Sequence, residues 1–158
     1  MDTYSKLEDQ GERVFRFPDG IPGFDHIHEF VFLCKTHIRP FLFMHSVEEP
    51  ETGFVCIDPC IVGSDCDSRV SIADMKILGL GSMDNAVAVG IVMIESEVEK
   101  STVNLAGPIV VNTVNHIGKQ VVCEGRGLSI RHRVLDGLVG ERREEIFSVL
   151  LKMRLAGM

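Results

Sequence analysis

Ala86-Val87-Ala88-Val89-Gly90-Ile91-Val92-Met93-Ile94 is the longest uninterrupted apolar stretch of the chain. With nine residues it falls well short of the about 20 that a membrane-spanning helix needs. Its β-branched Val and Ile suit a pleated, partly buried surface instead. Shorter runs of the same character flank it: Val14–Phe17, Phe30–Cys34, Phe41–Met44, Phe54–Ile57, Ile109–Val111 and Gln120–Cys123. Turn formers separate them, at Asp19-Gly20, Pro22-Gly23, Thr52-Gly53, Asp84-Asn85 and Gly125-Arg126-Gly127. Short strands punctuated in this way predict a mostly β fold, either an antiparallel sandwich or a small closed barrel.

The pattern changes near the end of the chain. From Glu141 to Leu155 the polar residues Glu141, Glu144, Glu145, Ser148 and Lys152 recur at helical spacing, with Ile146, Phe147, Leu150, Leu151 and Met153 on the other side. Glu residues lie in the first turns, Lys152 and Arg154 in the last, and Gly157 just beyond. That order favours the helix dipole and supplies a stop. The expected organisation is a β domain over residues 12–135 and a helical extension over 136–158. The helix either docks on its own domain or binds a partner or a second copy.

Composition narrows the function. The 158 residues suffice for one domain with a sizeable core. The net charge is -7, from 16 Lys+Arg against 23 Asp+Glu. An acidic surface repels phosphate backbones and favours a basic protein partner. Nine Phe, one Tyr and no Trp, without interleaved basic residues, make core packing rather than base stacking the expected role of the aromatics. Met1 to Gly11 is polar and lacks the apolar run of a secretory signal. A cytoplasmic protein with reduced thiols follows as the expectation.

The sites that carry chemistry elsewhere are incomplete here. Cys56, Cys60 and Cys66 have no second Cys pair to close a zinc tetrahedron, so buried thiols are expected. His26 and His28 share a strand face without a thiol or acidic partner at a telling spacing. Gly79-Leu80-Gly81 begins like a dinucleotide loop, but Asp84 stands where the third Gly belongs. Glu95, Glu97 and Glu99 alternate as the outer face of a strand end would. No enzyme activity, metal or cofactor is expected.

Two segments stand out for another reason. Phe17-Pro18-Asp19-Gly20-Ile21-Pro22-Gly23-Phe24 is a turn flanked by Phe. Thr102-Val103-Asn104-Leu105-Ala106-Gly107-Pro108-Ile109-Val110-Val111-Asn112 places two Asn in an apolar run and is followed by Gly118-Lys119-Gln120. Buried amides are costly unless hydrogen-bonded. With Pro40-Phe41 to Ser46, Phe54 to Pro59 and Arg131-His132, these motifs occur in the order found in the FliW flagellar assembly factors, and the chain resembles that family from residue 12 to about residue 135. It departs where Cys60 follows Pro59 and where Ser64-Asp65-Cys66 stands, positions at which the family tends to carry aromatics. Two thiols then act as small hydrophobes.

The resemblance implies a compact antiparallel barrel-like domain without catalytic residues. It implies a protein that binds flagellin and antagonises CsrA, a basic RNA-binding translational regulator, so that free flagellin removes it from CsrA. A flagellin secretion chaperone without CsrA regulation is the alternative. No direct nucleic acid or membrane contact is expected, and the free protein is expected to be monomeric. The candidate partner-binding residues are Ile21 and Phe24 in the turn, the acidic Glu48, Glu49 and Asp58, and the matched polar positions Asn104, Asn112 and Gln120.

Overall fold

The apolar runs become strands, except that Gln120–Cys123 enters one only at Gln120, and the longest run organises the others. A computed structural model describes residues 2–63, 70–123 and 128–158. In chain order the elements are α1 (Thr3–Asp9), β1 (Phe15–Arg16), β2 (Glu29–Leu33), β3 (Leu42–Ser46), β4 (Gly53–Ile57), α2 (Ile72–Leu78), β5 (Ala86–Met93), β6 (Thr102–Val103), β7 (Ile109–Asn112), β8 (Gly118–Gln120), β9 (His132–Arg133) and α3 (Gly140–Leu155). Every named strand pairs antiparallel. The fold is therefore mostly β, as expected.

β5 is the strand on which the sheet divides. One edge pairs with β4, Val55 opposite Val92 and Ile57 opposite Gly90. The other edge pairs with β7 along Ala86–Val89 and with β6 along Val92–Met93. Gly90 sits at the change of partner. A Cβ there would lie 2.6 Å from Val103 Cγ2, so a side chain would wedge β6 away.

The curled sheet β1-β2-β3-β4-β5-β7-β8 is not closed by a ladder. One parallel bridge, Arg16 opposite Ile117, brings its two ends together, and Arg16 N donates to His116 O at 2.8 Å. "Barrel-like" thus describes the shape loosely. At this seam the Phe17 ring lies flat against Gly118, where a Cβ would fall 2.7 Å from Cε1 and 2.8 Å from Cε2.

Alternation along β5 feeds three cores. Val87, Val89 and Ile91 point inward to Phe15, Phe17, Phe30, Phe32 and Met44. Ala86 and Ala88 face outward against Leu78 and Leu80, beneath α2. Val92 faces outward against Phe43, Val103 and the α3 residues Ile146, Leu150 and Met153. Six of the nine Phe are buried, which fits packing as their main role.

Two helices come from stretches in which no helix was expected. α1 begins at Asp2, whose side chain accepts from Ser5 N at 2.8 Å, and it buries Tyr4 and Leu7. It closes the end of the curled sheet where β2 finishes and β5 begins. α2 is capped by Ser71, whose Oγ accepts from Asp74 N, and stops at Gly79 with φ 71°. Glu95, Glu97 and Glu99 lie beyond the end of β5, in a loop and a 3-10 turn rather than on a strand face. Cys56 is a buried thiol, its pKa raised by burial. Cys60, in contrast, is exposed and disulfide-bonded, so neither the buried-thiol nor the reduced-thiol expectation holds for it. Cys66 and the Gly125-Arg126-Gly127 turn lie outside the described residues.

α3 docks on its own domain. Ile146, Leu150 and Met153 are fully buried, Arg143 Nη1 donates to Leu135 O, and Arg154 Nη2 donates to Ser96 Oγ at 3.2 Å. Leu151, expected on the apolar side, is 40% exposed. Its expected end is also observed: Gly157 takes φ 82° and Met158 N donates to Met153 O at 3.0 Å.

Two stability measurements check this architecture. Gly118→Ala is expected to cost roughly 1–3 kcal/mol in urea unfolding by overpacking the seam. Adding Phe17→Leu is expected to recover part of that loss, because the two positions share one contact; strict additivity would refute the contact. Leu150→Ala is expected to lose about 2–5 kcal/mol, whereas Leu151→Ala stays within about 0.5 kcal/mol. Equal effects at the two positions would mean that α3 is not docked as described.

Candidate partner-binding surface

Three separate places receive the residues singled out from sequence. The first is the end of the curled sheet opposite α1, where the turn Phe17–Phe24 meets the β3–β4 hairpin. Gly20 makes that turn possible: its φ is 65°, and a Cβ would lie 2.8 Å from Asp25 Cα. Phe24 N donates to Ile21 O at 2.6 Å, closing the tip. The turn drives Ile21 into the core at 2% exposure. Ile21 therefore presents no surface to a partner, contrary to expectation. Phe24 is half-buried and packs edge-to-face on Phe54 with ring centres 5.2 Å apart.

The hairpin is fastened to this turn by its own acids. Glu48 Oε1 accepts from both His28 N and Glu29 N at 2.7 Å. Those two backbone donors, His28 foremost, hold the Glu48 carboxyl below its ordinary pKa. Glu49 Oε1 lies 3.2 Å from His26 Nε2, and Glu49 N donates to Ser46 Oγ. Both acids remain exposed. The two histidines thus help to position the rim of this end.

The second place is the corner where the chain leaves β6 for β7. Asn104 Oδ1 accepts from Ala106 N at 3.0 Å and Gly107 N at 2.8 Å. From the opposite side, Gln120 Nε2 donates to Gly107 O at 2.8 Å. Gly107 is enclosed between the two amides, since a Cβ would fall 3.1 Å from Asn104 Nδ2 and 3.2 Å from Gln120 Nε2. Asn104 and Gln120 are half-buried, and their recorded bonds serve the backbone. Asn112 works in the same way at the other end of β7. It is 4% exposed, its Nδ2 donates to Leu78 O at 2.9 Å and its Oδ1 accepts from Val114 N at 2.8 Å. It fixes the end of α2, and burial keeps it from an outside partner.

Asp58 occupies the third place, at the end of the sheet near α1. Its Oδ1 accepts from Cys60 N at 2.9 Å, and it lines a cavity of about 360 Å³ with Asp2, Tyr4, Arg39, Arg142 and Glu145. Arg39 is paired with Asp2 at 3.0 Å and lies over the Tyr4 ring at 4.5 Å. Arg142 is 3.7 Å from Glu145. Asp58 is therefore remote from Glu48 and Glu49, which stand beyond the opposite end of β4.

Sequence reasoning passed over Lys119, whose Nζ lies 3.4 Å from Asp74 and 3.7 Å from Asp19. This clasp joins α2 to the Phe17–Phe24 turn, and no local spacing signals it because the partners are distant in sequence. Tyr4 and Leu7 were missed too, although their i, i+3 spacing carried the signal. Among the described residues, no group of three or more His, Cys, Asp or Glu is placed to hold a metal. No described helix is long and apolar enough to cross a membrane.

The profile of the FliW protein family matches residues 1–134. The flagellar assembly factor FliW of Geobacter sulfurreducens is 31% identical over 133 residues, covering 84% of this chain and 83% of that protein. Its counterpart in Carboxydothermus hydrogenoformans is 28% identical over 122 residues, covering 77% and 79%. A crystal structure of a flagellar assembly factor FliW superposes with a TM-score of 0.71 at 28% identity, over 78% of this chain and 86% of that one. Matched by the family profile over residues 1–134 and by relatives over most of its length, the chain belongs to the FliW family of flagellar assembly factors.

Proposed function

We propose that this protein is a partner switch: it binds flagellin and, in competition with it, a CsrA-type translational regulator in the cytoplasm. Membership of the FliW family is the observation that carries this reading. The net charge of -7 supports it, because complementary fields raise the association rate with a basic partner and orient the encounter. Such binding suppresses RNA affinity only if its contacts favour a regulator conformation that holds RNA weakly. The protein thus acts by association, without a chemical step of its own. In the second reading, a flagellin chaperone, the flagellin contact remains and the regulator contact is absent.

Of the residues expected to meet a partner, Phe24, Glu48 and Glu49 retain exposed surface on one end of the sheet. Asn104 and Gln120 hold the β6–β7 corner and Asn112 the end of α2, so their bonds serve the fold.

A competition pull-down tests the switch. Immobilised protein loaded with the regulator is expected to release it when flagellin is added; simultaneous retention of both would refute mutual exclusion, and failure to bind the regulator at all would leave the chaperone reading. Asn104→Ala is expected to lower stability by roughly 1–2 kcal/mol, since it strands two part-buried N–H groups. Its regulator affinity should recover at temperatures where the variant is folded. An unchanged denaturation midpoint with lost binding would instead make Asn104 a direct contact.

A further inference from the structure

The two ends of the curled sheet are finished differently. α1 covers one. At the other, the Phe17–Phe24 turn leaves an apolar strip open. Phe24 and Phe54 are half-buried and in edge-to-face contact. The register that sets Val55 opposite Val92 sets Phe54 opposite Met93, and Met93 in turn pairs with Thr102. Met93 follows Ile91 on the inward-facing side of β5, yet it has run past the core and is 63% exposed. An exposed Met beside two aromatic rings is an adaptable apolar surface.

On the side of the turn and the hairpin, the rim of this strip is acidic. Residues 17–34, 41–63 and 77–99 contain no Lys or Arg, and these segments supply the turn, the hairpin and β5. Asp25, Glu49 and Glu51 are exposed on the turn and hairpin, and Glu95 follows Met93 at the end of β5. Of the nearby cations, Lys119 is paired with Asp19 and Asp74 and Lys100 with Glu97 at 2.8 Å, while the exposed Arg133 lies across Thr102 from Met93 and Arg154 reaches Ser96. An apolar centre bordered on the turn and hairpin side by acids is complementary to a basic segment that carries one apolar side chain.

We propose that the strip formed by Phe24, Phe54 and Met93 is the face on which the basic regulator docks. This rests on the regulator reading above. The regulator seats an apolar side chain against Met93, and its Lys or Arg residues meet Asp25, Glu49 and Glu51. Flagellin and a second copy of this chain are the competing occupants.

Calorimetric titration of the full-length protein with the purified regulator tests this. Met93→Asp is expected to weaken regulator binding about 30-fold, the effect of losing a central contact. Met93→Leu is expected to stay within about threefold. Val139→Asp, a change at an exposed position at the start of α3 and near the opposite end of the sheet, is expected to leave binding unaltered. Glu49→Lys combined with Glu51→Lys should slow association at low salt, and this difference should shrink as salt rises. That double variant also keeps the test decisive if Met93→Asp fails to fold. Unaltered regulator binding by folded Met93→Asp overturns this face alone, as does loss of flagellin binding instead, or a concentration-dependent dimer of the wild-type protein that Met93→Asp abolishes. Failure of the wild-type protein to bind any regulator overturns both this face and the reading on which it rests.

Discussion

The fold depends on β5 serving several neighbours at once. A strand normally offers two edges to two partners, but this one divides its second edge between β7 and β6. The division requires a residue without a Cβ at the point of divergence, and Gly90 supplies it, with Val103 Cγ2 in the space a side chain would take. The same strand feeds an inner core and two outer ones. Burying apolar side chains on both faces stabilises each layer through the others. The helices α2 and α3 then cover the two outer faces that this branching creates.

That arrangement explains what the sequence disclosed and what it concealed. Each of the longer strands was legible as a β-rich apolar run between turn formers. β6 and β9, with two residues each, carry too little pattern to register. α1 was missed because only Tyr4 and Leu7 are buried along it, so its first turns read as a polar segment. α2 had both Ser71 and Gly79 as boundary signals, but these gain meaning only when the intervening seven residues are read at helical spacing. Met93 was invisible for a different reason: in a strand buried on both faces the apolar pattern is continuous, and nothing in it marks where the core ends.

The polar residues of the family motifs show a related limit. Their presence in apolar runs was correctly read as demanding hydrogen bonds, but sequence does not say whether those bonds lie inside or outside the molecule. The structure assigns Asn104 and Gln120 to one corner and Asn112 to another. Their amides do the work that a ladder would do if the chain did not have to change neighbours there. Glu48 is intermediate in character, exposed yet bound to two backbone donors. Such a carboxylate shapes a surface and charges it at the same time.

The seam between Phe17 and Gly118 also has a consequence for synthesis. Its two sides stand about a hundred residues apart in the chain, so the contact closes a long loop and is late to form. During translation, Phe15, Phe17, Phe30 and Phe32 leave the ribosome well before β7 and β8 exist to cover them. Until then the nascent chain exposes a set of aromatic side chains beside unpaired strand edges, a combination that favours aggregation. This flagellar assembly factor therefore passes through a vulnerable interval of its own, whose length is set by how quickly the ribosome travels from Phe17 to Gly118.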